Sequence, residues 1–189
     1  MAVSKKKATG PAAVPRADWP LGIHRTLAAS QVRLVGYVPD AGHKRLIELC
    51  HADRGMQSVV LSTEEEGVGL AAGAWLGGTR AALLMQSSGV GNCINALGML
   101  RECRIPLLML VTMRGQFGEF NPWQVPMGQA TPAVLSAMGV VVHEANSADA
   151  VAPAVETAAR LAYGSYQAVA VLISQAVIGI KSFQEQRSQ

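Results

Sequence analysis

The sequence predicts a single α/β domain built on one mostly parallel sheet of six strands with helices on both faces. Three observations lead there. Six short, largely apolar runs alternate with helically spaced segments along the 189 residues, the pattern of repeated strand–helix units. Several of those runs are apolar without interruption, as in strands covered on both faces. Half of the residues are hydrophobic and only 15% are charged, which suits helices packed tightly on a buried sheet. The length fits one domain with a full core, and there is no internal repeat.

Organised structure is expected over residues 18–180, between a flexible basic tail at 1–17 and a short tail at 181–189. No apolar stretch follows Lys5, Lys6 and Lys7, so the first tail reads as a solvated terminus rather than a targeting signal. The first helix is expected from Trp19 to Ala29, capped by Asp18 and with Pro20 in its first turn. A strand at 32–37 ends in a turn punctuated by Pro39 and Gly42, and a helix follows to Ala52. The second strand, 58–61, hands over to a helix opened by Glu64, Glu65 and Glu66. Acids favour the positive end of a helix dipole, which accounts well for Glu65 and Glu66. It leaves unexplained why the helix behind them is so small-sided: Gly67, Gly69, Ala71, Ala72 and Gly73 would let something approach the backbone closely. A third strand at 81–86 is expected to leave through a loop at 87–92 into a helix at 94–101. The fourth strand, 106–112, runs into an irregular stretch at 114–129 that holds the aromatics Phe117, Phe120 and Trp123, with Gly and Pro at intervals. It reads as a structured binding loop or subunit contact. A short helix at 132–138, a strand at 140–142, a helix at 148–163 and a last strand at 168–173 complete the chain.

Composition excludes several functions. The formal net charge of +3 is too small to argue for nucleic acid, and no apolar run is long enough to span a membrane. Cys50, Cys93 and Cys103 form no CxxC pair and read as reduced thiols of a cytoplasmic protein, without disulfide or zinc site. No Walker A motif is present. Gly67, Gly69 and Ala72 fit the spacing G-x-G-x-x-A, but three carboxylates directly ahead of them would repel a pyrophosphate. Ser87-Ser88-Gly89 lacks the leading glycine of a nucleophile elbow. The four histidines show no metal-ligand spacing and read as surface or core residues.

The run from Glu64 to Gly73, the segment from Gln86 to Asn92 and the pair Arg114-Gly115 together carry a resemblance. They resemble the pyrimidine-binding domain of thiamine-diphosphate-dependent decarboxylases, above all the α subunits of sulfopyruvate decarboxylase and the related phosphonopyruvate decarboxylases. Val38-Pro39-Asp40 is similar to that group's first substrate loop. The resemblance implies that Glu64, the acid nine residues before Gly73, is buried and hydrogen-bonds the cofactor's aminopyrimidine. Gly67, Gln86, Gly89 and Asn92 would then lie at the cofactor, and Asp40, Gln86 and Arg114 at a 2-oxo acid substrate. Asp40 would handle a proton, Gln86 would orient the carbonyl, and Arg114 would pair with a second anionic group of the substrate or else with Glu119. Full-length members carry a second domain with a Gly-Asp-Gly motif that binds Mg²⁺ and the diphosphate. That motif is absent here, so a β subunit is expected to supply it, and Mg²⁺ with it. Self-association is also expected. The alternatives left open are a phosphonopyruvate decarboxylase, another split lyase or carboligase, and a non-catalytic binding protein that kept the fold.

Overall fold

The computed structural model describes residues 17–179. Almost all of both expected tails lies outside the described residues. The first helix, α1 (Trp19–Ala29), is capped as expected: the Leu21 N–H donates to Asp18 Oδ1 at 3.3 Å. The remaining elements are β1 (Val32–Tyr37), α2 (Lys44–Ala52), β2 (Gln57–Val60), α3 (Glu64–Leu76), β3 (Arg80–Gln86), α4 (Ser87–Glu102), β4 (Leu107–Thr112), α5 (Val125–Ala137), β5 (Val141–Ala145), α6 (Ala148–Ser165), β6 (Ala168–Ile173) and α7 (Gln175–Ile178).

All six strands pair in parallel, in the order β2-β1-β3-β4-β6-β5. Alternate residues of each strand point to opposite faces, and two cores result. Val35, Leu108 and Leu110 pack under α1, α2 and α6. Leu34, Leu83, Met109 and Val111 pack under α3, α4 and α5. The central strand β4 is buried along its whole length. Full burial of each of its large apolar side chains stabilises the fold by about 2 kcal/mol before entropy is counted.

The order of strands fixes where a ligand can sit. From β1 the chain moves to β2 on one side and later to β3 on the other. The sheet therefore has a reversal between β1 and β3, and the crevice at the carboxyl ends of those strands is the favoured binding position of an open parallel sheet.

Two expected helix starts differ, and β5 runs three residues past the expected 140–142. Residues 87–92 are not an exit loop, because α4 begins at Ser87 directly after β3. The run of Ser and Gly has loop composition, but burial of Ser87, Gly89, Val90 and Cys93 overrides that local preference. Similarly, α5 starts at Val125, inside the stretch expected to be irregular, and Pro132 lies within the helix instead of opening it. The rest of that stretch has one 3₁₀ turn, Pro122–Gln124.

Candidate active site

The three acids at the head of α3 take different places. Glu64 is buried, with 8% of its surface exposed, while Glu65 and Glu66 face solvent. Glu66 Oε2 accepts the backbone N–H of Ser62 at 2.7 Å, tying the first turn of α3 to the residue ahead of its N-cap Thr63. Glu64 instead turns toward α4, where Asn92 Nδ2 donates to its Oε2 at 2.8 Å. A Cβ on Gly89 would lie only 2.2 Å from Glu64 Oε1. The glycine therefore makes the space in which the carboxyl group fits. Glu64, Gly89 and Asn92 form one unit across the α3–α4 contact. Gly67 lies on the sheet side of α3: a Cβ there would stand 2.4 Å from Leu83 Cδ1 and 2.8 Å from Leu61 Cδ1. Its missing side chain thus serves helix–sheet packing, in place of the cofactor approach expected for it.

A second unit spans the reversal between β1 and β3. Gln86 Nε2 donates to Asp40 Oδ1 at 2.9 Å, and Ser88 Oγ donates to Gln86 Oε1 at 3.0 Å. Thr112 Oγ1 and the Gly42 N–H donate to Asp40 Oδ2 at 2.7 and 3.1 Å. Burial alone would raise the pKa of Asp40. The Thr112 hydroxyl, the neighbouring His43, Gln86 and the Gly42 amide outweigh it and hold the carboxyl below its ordinary value. His43 itself is fully buried, and its Nε2 bonds the Leu110 carbonyl at 3.0 Å. Burial pushes its pKa down against the pull of Asp40, and Nε2 carries the hydrogen that the Leu110 carbonyl accepts.

Arg114 follows β4 at the same edge but is engaged by its own chain. Its Nε and Nη2 donate to Glu119 Oε2 and Oε1 at 2.6 and 2.5 Å, with the two side chains 11% and 4% exposed. Glu119 also accepts from the Gly115 and Asn121 amides and from Gln175 Nε2. Arg114, together with those amides and Gln175, holds the Glu119 pKa down to about 2. The even choice left by the sequence, substrate anion or Glu119, is thus occupied by Glu119 on two of the guanidinium nitrogens. Nη1 stays outside the pair.

Sequence reasoning missed Thr112, Glu119 as a hub, and Gln175. Thr112 had a signal: it ends the apolar strand Leu-Leu-Met-Leu-Val-Thr and pairs in register with Gln86. Gln175 stands just past β6, where its amide binds the backbone of Gln116 and Phe117. Among the described residues, no cluster of three or more His, Cys, Asp or Glu is placed to hold a metal ion. All three cysteines are free, and burial pushes the thiols of Cys50 and Cys93 up to about 12. No described helix is long and apolar enough to cross a membrane.

The parallel sheet buries a helix-opening glutamate at its carboxyl edge, where open α/β sheets bind their ligands. Residues 22–117 match the model of the thiamine pyrophosphate enzyme, N-terminal TPP binding domain, and the chain belongs to that family. Within it, the chain is 34% identical to sulfopyruvate decarboxylase subunit alpha of Methanococcus maripaludis, over 80% of this chain and 91% of that one. It is 36% identical to the subunit alpha of Methanothermobacter thermautotrophicus, over 72% of this chain and 83% of that one. A phosphonopyruvate decarboxylase of Streptomyces hygroscopicus is 36% identical over 53% of this chain, which is 25% of that protein. The fold is also that of part of a 2-oxoglutarate:ferredoxin oxidoreductase from Magnetococcus marinus, with a TM-score of 0.64 and 13% identity over 86% of this chain and 29% of that one.

Proposed function

We propose that the chain is the α subunit of a split thiamine-diphosphate-dependent decarboxylase that converts 3-sulfopyruvate to sulfoacetaldehyde and CO₂. The observation that carries this reading is the buried Glu64, bonded by Asn92 and seated against Gly89, in a chain whose relatives over most of its length are sulfopyruvate decarboxylase α subunits. The donor set fits the cofactor, since an aminopyrimidine ring nitrogen calls for a buried carboxyl group held in one orientation. Glu64 and Asn92 would hold that ring, with Gly89 keeping the wall thin. Thiamine diphosphate, when bound, supplies the carbon nucleophile and the electron sink for loss of CO₂.

This chain's own residues orient and move protons. Glu64 holds or releases a proton at Oε1 or Oε2, and Asn92 fixes the plane of its carboxyl group. Asp40, kept ionised by Thr112, Gln86 and Gly42, is the proton acceptor of the substrate side. The Gln86 amide, oriented by Asp40 and Ser88, positions the substrate carbonyl. Arg114 meets the substrate's second anion through Nη1. A partner β subunit supplies the diphosphate site and Mg²⁺, and the complex works in the cytoplasm.

The test is a reconstituted complex assayed with 3-sulfopyruvate, 3-phosphonopyruvate and pyruvate. The proposal requires a kcat/KM preference for 3-sulfopyruvate over pyruvate, and Arg114→Ala should erode it. Equal use of pyruvate, untouched by Arg114→Ala, would refute the substrate assignment. A preference for 3-phosphonopyruvate would move the chain to the other decarboxylase.

A further inference from the structure

The sheet edge opposite Glu64, where the strands begin, carries a second concentration of chemistry. A groove of about 630 Å³ opens there beside α1 and α6, lined by Arg25, Arg80, Arg160, Glu156, Ser30 and Tyr163 among others. Arg80 opens β3, and its Nη1 donates at 2.8 Å to the carbonyl of Ser30, the residue that ends α1. Its guanidinium lies 5.1 Å over the Tyr163 ring, whose hydroxyl donates to the Ala81 carbonyl at 2.9 Å. Arg80 is therefore fixed in place, while its other N–H groups have no hydrogen-bond partner among the described residues.

The other two arginines are less engaged. Arg25 has no hydrogen bond or ion pair among the described residues and senses Asp18 only across space. Arg160 bonds Glu156 one turn earlier on α6 at 2.5 Å, with the side chains 78% and 55% exposed. An exposed pair of this kind contributes little and exchanges easily. A cation at a helix C-terminus is a sufficient structural reason for Arg80. It does not account for Arg25 and Arg160 lining the same space. Three guanidinium groups around one groove outnumber its single acid, so the groove attracts anions.

We propose that this groove binds a small multivalent anion of the phosphate-ester class, with Arg80 as the fixed contact and Arg25 and Arg160 as exposed clamps. Guanidinium forks match phosphate oxygens in pairs, and the volume accommodates a ligand up to the size of a nucleotide. On binding, Arg160 exchanges Glu156 for the ligand. The site lies at the opposite edge of the sheet from Glu64 and is independent of the reaction proposed above.

Calorimetric titration of the full-length chain at low salt, with inorganic pyrophosphate and separately with ADP, tests it. Saturable one-to-one binding of pyrophosphate is expected, weakened about tenfold by Arg25→Ala or Arg160→Ala. Glu156→Gln should tighten binding, a gain that a purely structural arginine cluster would not give. Tighter binding of ADP would identify a nucleotide ligand, and equal binding a simpler phosphate. Absence of saturable binding of either probe at millimolar concentration overturns the proposal. So does binding that the double variant R25A/R160A leaves unchanged.

Discussion

Glu64, Glu65 and Glu66 are chemically alike, and only their surroundings separate them. Glu64 is buried against Asn92 and Gly89, Glu66 accepts the Ser62 amide just ahead of its helix, and Glu65 is exposed. If Glu64 is the proton-relaying acid, Glu64→Gln leaves the fold intact and lowers turnover of the reconstituted complex by about 10²–10⁴-fold, the usual size for a general acid–base group. Glu65→Gln and Glu66→Gln should keep most of the activity. Gly89→Ala offers an independent check. Alanine favours a helix over glycine by about 1 kcal/mol, yet here its Cβ would stand 2.2 Å from Glu64 Oε1 and displace the carboxyl group. Activity measured beside circular dichroism should show a loss approaching that of Glu64→Gln with the helix content kept.

At the scale of elements, the stretch after β4 shows what sequence patterns conveyed and what they did not. Every strand was legible, because apolar runs between Gly, Pro and polar residues need no tertiary knowledge to be seen. The starts of α4 and α5 were not, since Ser87, Gly89 and Pro132 oppose helix locally and are held in it by packing. The Arg114–Glu119 pair was visible only as one of two options, because sequence cannot say whether a cation meets an external anion or an internal one. The pair now reads as a staple. Glu119 gathers the Gly115 and Asn121 amides, Arg114 and Gln175, and so ties the stretch to the head of α7. Gly128 helps, since a Cβ there would lie 1.9 Å from the Arg114 carbonyl oxygen. Glu119→Gln leaves the largely buried Arg114 without its counter-ion and should cost about 3 kcal/mol in chemical denaturation. The pH dependence has a definite sign. The Glu119 pKa is depressed on folding, so its contribution is present above the ordinary value of 4.5 and is lost as pH falls toward about 2. Wild-type stability should therefore decline through that window more steeply than that of Glu119→Gln. Parallel curves for the two proteins would argue against the staple.

At the scale of the whole molecule, the sheet edge that holds Glu64, Asp40 and Gln86 has no Gly-Asp-Gly companion anywhere in the chain. The parallel sheet and, through the family resemblance, the buried acid were legible from sequence, whereas a surface for the proposed second subunit has no motif of its own. Its best marker is physical. Trp123 and Phe117 are 86% and 60% exposed in a stretch otherwise tied down by hydrogen bonds, just beyond Arg114. Large aromatics held in place lose little entropy on docking, and such residues dominate interface energies. If this stretch contacts the β subunit, the chain assayed alone with cofactor and Mg²⁺ should show negligible decarboxylation. Addition of the partner should restore it with a saturable dependence on partner concentration. Trp123→Ala should shift that dependence to higher concentration by about tenfold or more, equivalent to at least about 1.4 kcal/mol. The plateau rate should stay near that of the wild type, because Trp123 is assigned no part in the chemistry. A lowered plateau with an unchanged midpoint would place Trp123 in the reaction rather than the assembly. Full turnover by the isolated chain would remove the need for a partner altogether.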